Sequence, residues 1–227
     1  MPIEFVSRHS RHPRPANLAE SSNDMPNLQA QLHGDTAVFI RCPATDAAAI
    51  AQACRQQFPA AIDAWCGDSS VLVQFGEPIK DAARLLRQIQ HLEIPATEVR
   101  DHRVVTLPVT YDGPDLADVA QESGMSVEAV VARHIGGDYR VAFSGFAPGF
   151  AYPTGLDPQL ILPRRQSPRA EVAAGSVAIA AQYSAVYPRS SPGGWHILGS
   201  CDVEMFNPER SQPALLMPGF TVRFEAR

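Results

Sequence analysis

Residues 143–199 contain 7 glycines and 7 prolines among 57 positions. Glycine permits positive φ and close approach of backbones, whereas proline fixes φ and removes a hydrogen-bond donor. Because these residues recur at short intervals, the stretch cannot form a long helix, and we predict short strands joined by tight turns. The chain is therefore organised around a region of shaped loops, where binding residues are commonly found.

The first motif in this stretch is GFAPGF, at residues 145–150. It has no acid or base, so its contribution to a site would come from the backbone amides near Gly145 and Gly149, in a turn shaped by Pro148. Amides that point at one spot stabilise a carbonyl oxygen or an anion. The alternative is a β-turn that carries two core phenylalanines.

The second motif places arginine after proline twice, at Pro163-Arg164 and Pro168-Arg169. Each proline holds the preceding residue in extended geometry and so limits where the arginines point. On a flat strand, Arg164 and Arg169 would face opposite sides, whereas Arg165 and Arg169 would share a face. The motif is either a clamp for a carboxylate or phosphate, or a set of solvated or salt-bridged arginines.

The third motif is SPGGWH, at residues 191–196. Gly193 and Gly194 let the backbone approach a ligand closely, and Trp195 with His196 follows them. We predict His196 as the acid/base group, because the pKa of imidazole lies near neutrality. If the segment is extended, Trp195 and His196 point to opposite faces, so one of them packs inward. A buried core histidine is therefore the alternative.

These motifs resemble the family of the 5-oxoprolinase B subunit, also called allophanate hydrolase subunit 1, which includes an inhibitor of a sporulation histidine kinase. Leu107-Pro108-Val109 and residues 111–116 match the same family, so the resemblance covers nearly all of the chain after residue 30. It adds Ser176 and Tyr187 to the substrate- or anion-binding candidates. With them stand the motif residues Gly145, Pro148, Gly149, Arg164, Arg169, Gly193, Gly194 and Trp195.

The resemblance implies an ATP-dependent enzyme subunit, with a carboxyltransferase domain, that opens 5-oxoproline to glutamate. Its expected partners are a LamB/YcsF-like A subunit, together with a homologous C subunit that is similar to allophanate hydrolase subunit 2. The resemblance implies that the complex binds ATP, and any nucleotide site in this chain is not a P-loop. Arg164 and Arg169 would bind the anion and His196 would transfer a proton. We expect the isolated subunit to be inactive.

Three other functions stay open. The chain would be a regulatory binding protein if it follows the kinase inhibitor, in which case the barrel grips another protein. It would be a diverged relative of allophanate hydrolase subunit 1 if its substrate differs. Prolyl isomerisation rests on fold analogy alone.

The hydrophobic pattern upstream of residue 110 predicts the order β-α-β-β-α-β. Its strands fall at residues 37–40, 61–65, 71–75 and 97–109. This is the ferredoxin-like order, in which two helices cover one face of a four-stranded antiparallel sheet.

After Tyr139 the chain reads as short strands separated by turns, and the family resemblance implies a cyclophilin-like β-barrel there. We therefore predict an α+β protein with two domains. A flexible extension (residues 1–27) precedes a ferredoxin-like domain (28–109) and a β-barrel domain (110–227).

Two short helices are predicted between Tyr111 and His134, with Gly124 as the C-cap of the first and Ser126 as the N-cap of the second. His134 shares a helical face with three valines. It is either a packed residue near a helix C-terminus or a site residue.

The chain departs from the family pattern at residues 181–185, where relatives read Gly-Gly-Gln-Thr-Gly and this chain reads Ala-Gln-Tyr-Ser-Ala. Tyr183 thus stands where relatives have glutamine, and Phe220 stands where they have aspartate. Gln182 would replace the missing amide only if the strand slipped by one residue, which turns a side chain to the other face. The departure predicts a narrower substrate pocket or a shift to a binding role.

Composition excludes several classes of protein. A net charge of −5 disfavours binding to nucleic acid. Lys80 is the sole lysine, so anion binding must depend on arginine or on backbone amides. The four cysteines have no paired spacing and are predicted to be reduced thiols, and no metal-ligand spacing occurs. No apolar run is long enough for a membrane span, and we expect a cytoplasmic protein.

Overall fold

The structure is a computed structural model that describes residues 28–94 and 103–227, and these form a mixed α/β fold. The predicted extension (1–27) and the start of the predicted strand 97–109 lie outside the described residues. The strands are β1 (Gln29–His33), β2 (Ala37–Arg41), β3 (Ala61–Cys66), β4 (Ser70–Phe75), β5 (Val104–Val109), β6 (Tyr139–Ser144), β7 (Ala151–Thr154), β8 (Arg169–Val172), β9 (Ser176–Ala180), β10 (Tyr183–Val186), β11 (Ser191–Gly193), β12 (His196–Ser200) and β13 (Thr221–Ala226). The helices are α1 (Ala47–Gln57), α2 (Ala82–Gln90), α3 (Leu116–Ser123) and α4 (Val127–Ile135).

The first sheet has four antiparallel strands in the order β1-β2-β4-β3. Alternate residues of β2 and β4 point inward, and they form one buried cluster with the apolar faces of α1 and α2. A period of two in the strands and of about 3.6 in the helices produces this arrangement.

The predicted β-α-β-β-α-β order is wrong in its last strand. β5 does not join the first sheet but pairs in parallel with β13 of the second, and β1 supplies the fourth strand of the first sheet instead. Leu107 and Val109 of β5 are fully buried in the core of the second sheet. A hydrophobic pattern shows that a strand is buried but does not show which sheet buries it. The domain boundary predicted at residue 109 stays a prediction.

The second sheet has seven strands in the order β12-β9-β10-β7-β6-β13-β5 and forms a nearly closed barrel. Its two edges meet where Thr110, next to β5, pairs with Ser200 at the end of β12. The amide of each donates to the carbonyl of the other, at 2.9 and 2.8 Å. Beyond this seam the chain runs on along β12, since the amide of Gly113 donates to Leu198 O and that of Asp115 donates to Ile197 O.

β9 separates two cores because it is buried on both faces. Val177 and Ile179 pack into the barrel interior, whereas Ala178 and Ala180 belong to an aromatic cluster on the other side. The small alanine side chains leave room for aromatic rings on that second face. The candidate site is built against this cluster.

The caps predicted for the two helices after Tyr111 are confirmed in α3 and α4. Gly124 ends α3 with a left-handed φ of 67°, and the Ser126 side chain accepts a hydrogen bond from the amide of Ala129 at the start of α4. Among the described residues, no helix has both the length and the apolarity needed to cross a bilayer.

His134 is fully buried under the barrel wall and packs against Phe224, with 4.5 Å between ring centroids. Its Nδ1 lies 2.7 Å from the Tyr111 hydroxyl and its Nε2 lies 2.8 Å from Ser184 Oγ. Ser184 Oγ also lies 3.5 Å from Ala178 O, so both ring nitrogens of His134 have polar partners inside the protein. Burial lowers the pKa of His134 to about 3, so the ring is neutral. His134 is thus packed in the interior, and a site role for it stays a prediction.

All four cysteines are free thiols, as predicted. Burial raises the pKa of Cys42 to about 11 and that of Cys54 to about 12, so neither is a thiolate near neutral pH. Cys42 and Cys54 act as small apolar residues in the core of the first sheet.

The β9–β10 hairpin turns at Ala181 and Gln182, and Ala181 has a φ of 48°. Alanine is strained there, whereas glycine would not be. Ala181→Gly should therefore stabilise the protein by about 0.5 to 1 kcal/mol. Ala185 is instead a buried strand residue, so Ala185→Gly should destabilise by about 1 to 2 kcal/mol.

Urea unfolding of both variants measures these changes in the free energy of unfolding. Opposite signs are expected for the two positions. Equal signs would contradict the assignment of strain to residue 181 alone.

Candidate functional site

A cleft of about 270 Å³ lies against the aromatic cluster, between loop 145–150, the arginine segment 163–169 and the SPGGWH motif. It brings together residues that are far apart in the sequence. Of the predicted site residues, Arg164, Tyr187, Gly193, Gly194 and Trp195 line it. They are joined by Phe146, Phe150, Tyr152, Arg165, Pro168 and Pro192.

Loop 145–150 is held by three of its own hydrogen bonds. The amide of Ala147 donates to Gly145 O at 2.8 Å across Phe146, whose φ is 67°, so these residues form a strained γ-turn. The amide of Phe150 donates to Ala147 O, and that of Gly145 donates to Phe150 O. The Gly145 amide is thus engaged within the loop, and Gly145, Pro148 and Gly149 shape the turn rather than line the cleft.

The strain in loop 145–150 presents an aromatic ring to the cleft. Phe146 is 62% exposed although its ring packs edge-on against Phe150, with 5.3 Å between centroids. Backbone strain of this kind costs about 1–3 kcal/mol and concentrates at functional sites. The backbone strain at Phe146 therefore indicates that its position in the cleft is maintained at a cost in stability.

The cleft wall is a set of edge-to-face aromatic contacts. Phe150 packs on Tyr187 at 5.2 Å and on Trp195 at 5.7 Å, and Tyr152 packs on Trp195 at 5.8 Å. Such pairs are favourable beyond their buried area. These rings form a wall that is apolar apart from the phenol groups of Tyr152 and Tyr187.

Arg164 lines the cleft as an exposed cation. Its side chain is exposed and makes no hydrogen bond or salt bridge to any of the residues that the structure describes. Burial raises the pKa of Tyr187 and of Tyr152, and the guanidinium of Arg164 opposes this rise in both. The positive charge of Arg164 therefore acts on the phenol groups of the cleft.

Arg165 and Arg169 share one buried carboxylate, that of Asp115. Arg169 binds it with both terminal nitrogens, at 2.7 and 2.8 Å, and Arg165 Nη1 binds it as well. The amide of Ile197 completes the set at 2.7 Å. Burial alone would raise the pKa of Asp115, but the hydrogen bonds from Arg169 and Ile197 outweigh burial and the pKa is lowered.

Arg165 and Arg169 share a face, as their spacing of four residues predicts. Asp115 was not predicted from the sequence. The only signal was its place in the family-like segment 111–116. Arg169, predicted as an anion clamp, is occupied by Asp115, and a ligand role for Arg169 stays a prediction.

His196 lies behind the cleft rather than on it. The ring is buried, and its Nε2 donates to the carbonyl of Pro163 at 2.9 Å. The amide of Arg165 donates to Gly194 O at 2.8 Å beside it. These two bonds fasten the arginine segment to the SPGGWH motif, so His196 reaches the cleft only through the backbone of Pro163.

Ser176 and Gln182 do not line the cleft either. The Ser176 carbonyl accepts from the amide of Tyr187 at 3.0 Å and so supports Tyr187 from behind. Gln182 Nε2 donates to the Tyr183 hydroxyl at 2.9 Å.

Tyr183 joins the two sheets. Its hydroxyl donates to the carboxylate of Asp68, in the turn between β3 and β4, and its ring packs edge-on against Tyr152 at 5.6 Å. The ring is therefore one layer behind the cleft wall. The departure from the family at residue 183 changes the contact between the sheets rather than the cleft lining.

The paired glycines of SPGGWH are not equivalent. A Cβ added at Gly193 would overlap the Tyr187 hydroxyl and lie 3.0 Å from its Cζ, whereas one at Gly194 would meet nothing nearer than 3.7 Å. Gly193→Ala should therefore displace Tyr187 and cost about 1 to 3 kcal/mol of stability. Gly194→Ala, the matched control, should change it by less than about 0.5 kcal/mol. Urea unfolding followed by tryptophan fluorescence measures both, and equal costs would contradict the contact.

The described residues contain no group of three or more His, Cys, Asp or Glu side chains placed to hold a metal ion.

Residues 28–216 match the family model described as carboxyltransferase domain, subdomain C and D. The 5-oxoprolinase B subunit of Escherichia coli O157:H7 is 40% identical over 73% of this chain and 78% of its own length. The chain belongs to the family of 5-oxoprolinase B subunits. The Haemophilus influenzae member of this family is 36% identical over 67% of this chain and 74% of its own.

Several solved structures are similar to this chain. TTHA0988 is 37% identical with a TM-score of 0.72, and the match covers 84% of this chain but 39% of that one. A protein from Pyrococcus horikoshii, PH0987, is 33% identical with a TM-score of 0.53 over 88% and 97% of the two chains. Kluyveromyces lactis urea carboxylase shares the fold at 18% identity, with a TM-score of 0.68 over 96% and 23%. This chain thus spans well under half of some of the proteins it resembles.

Proposed function

We propose that this chain is the B subunit of an ATP-dependent 5-oxoprolinase and that its cleft binds 5-oxoproline. The observation that carries the proposal is the unpaired Arg164 at the edge of an aromatic cleft of about 270 Å³. 5-Oxoproline is a small ring with one carboxylate, so one guanidinium and a mostly apolar wall suit it. The names of the relatives support the same substrate.

In this proposal the chain binds and orients the substrate. Arg164 holds the carboxylate, and the rings of Phe146, Phe150 and Trp195 exclude water from one face of the lactam. Among the residues that the structure describes, the cleft offers one unpaired cation, which suits a monocarboxylate better than a triphosphate. We therefore propose that ATP binds to a partner protein, either the homologous C subunit or the A subunit.

Proton transfer is also assigned to a partner. In the described part of the chain, the titratable groups that line the cleft are two arginines and two tyrosines, and burial raises the pKa of both Tyr152 and Tyr187. Neither pair supplies a base near neutral pH. His196 does not line the cleft, so its contribution in this proposal is to hold Pro163 and, with it, Arg164.

Reconstitution with the cognate A and C subunits tests the proposal. We expect ATP-dependent release of glutamate from 5-oxoproline by the complex and none by this chain alone, because the described cleft residues include no group that transfers a proton near neutral pH. Turnover by the isolated chain would contradict a shared site. A correctly assembled complex without turnover would contradict the substrate.

A further inference from the structure

The arginine segment 163–169 contains three arginines, and they have different surroundings. Arg164 faces the cleft without a partner among the described residues, whereas Arg165 and Arg169 converge on Asp115. Arg165 also lines the cleft, so it lies between the carboxylate and the free cation. One buried carboxylate therefore determines where two of the three arginines point.

Asp115 is suited to fix this segment because it is itself fixed. It is 1% exposed and lies just beyond the barrel seam, where its amide donates to Ile197 O and its carboxylate accepts from the amide of Ile197. Two arginines on one buried carboxylate would repel each other if its charge were removed. The segment would then lose its side-chain anchor and keep only the bonds from His196 to Pro163 O and from the Arg165 amide to Gly194 O.

We propose that Asp115 is a positioning residue for the cleft: by binding Arg165 and Arg169 it holds the arginine segment so that Arg164 alone is presented to the ligand's carboxylate. This inference rests on the proposed anion-binding role of Arg164. It assigns to Asp115 a part in substrate binding without contact with the substrate.

The test uses the fluorescence of Trp195, which lines the cleft. The chain has two tryptophans, and Trp65 lies on β3 of the first sheet, so Trp65→Phe leaves Trp195 as the reporter. Titration with 5-oxoproline, and separately with cyclopentanecarboxylate, measures binding. The second probe has the same ring size and carboxylate but lacks the lactam.

Asp115→Asn in this background should weaken binding of the carboxylate probes about tenfold, the scale of one charge-assisted hydrogen bond. The variant keeps the side-chain shape but removes the charge. In an Arg164→Gln background the same change should have no further effect, because Asp115 acts through Arg164. Asp157→Asn is the matched control, since it removes a carboxylate that pairs with Arg133 away from the cleft lining.

The outcomes separate this inference from the proposed function. Binding of cyclopentanecarboxylate but not of 5-oxoproline, with the expected dependence on Asp115, would reject the substrate and keep the positioning role. Affinity within twofold of the parent for Asp115→Asn, an equal loss in the Arg164→Gln background, or no saturable binding of either probe would overturn the positioning role. If Asp115→Asn does not fold, Arg169→Lys tests the same contact, because lysine keeps the charge but not the two-pronged bond.

Discussion

Replacing Arg164 with glutamine in the assembled complex should raise the KM for 5-oxoproline about 10- to 100-fold, with a smaller change in kcat. A hydrogen bond to a charged group contributes about 1.5–3 kcal/mol, and each 1.4 kcal/mol is a factor of ten. Arg164 has no partner among the described residues, so its replacement leaves no buried charge unpaired and should not affect folding.

Steady-state kinetics of glutamate release measure this effect. Arg189→Gln is the matched control, because it removes another exposed arginine that does not line the cleft. A KM for Arg164→Gln within twofold of the unmodified complex would show that the carboxylate is bound elsewhere.

Acid should unfold this protein through His134. Its pKa is about 3 in the folded protein, against an ordinary value of 6.5, so the unfolded chain binds one more proton between these values. The stability supplied by the neutral ring is present above pH 6.5 and is lost as the pH falls towards 3. The expected slope is about 1.4 kcal/mol per pH unit within that window.

Urea unfolding of the protein and of His134→Gln at several pH values isolates this contribution. The difference in the free energy of unfolding between the two should narrow as the pH falls from 6.5 to 4. His91→Gln, a change at an exposed histidine, controls for the loss of an imidazole from the chain. A difference that does not change with pH would contradict burial of a neutral His134.

Local rules predicted the parts of this molecule that depend on neighbouring residues. The caps at Gly124 and Ser126 follow from single-residue preferences, and the shared face of Arg165 and Arg169 follows from their spacing. The three motifs were predicted to form one site, and members of each line the cleft.

Pairings between distant residues could not be predicted in the same way. Asp115 binds an arginine 54 positions away, and Tyr183 binds Asp68, 115 positions away. Neither residue type has a periodic pattern that indicates its partner. His196 is a similar case, because a histidine after a glycine turn has the same sequence signature whether it faces a ligand or a backbone carbonyl.

The parallel pairing of β5 with β13 has a consequence for synthesis of the chain. The amide and carbonyl groups of β5 have their partners in a strand that the ribosome makes more than a hundred residues later. At 5–20 residues per second, Leu107 and Val109 wait roughly 6 to 23 s for that strand. During this interval an apolar strand without its neighbour is a substrate for chaperones and a seed for aggregation. A cell that makes this protein must therefore protect β5 until translation has passed residue 226.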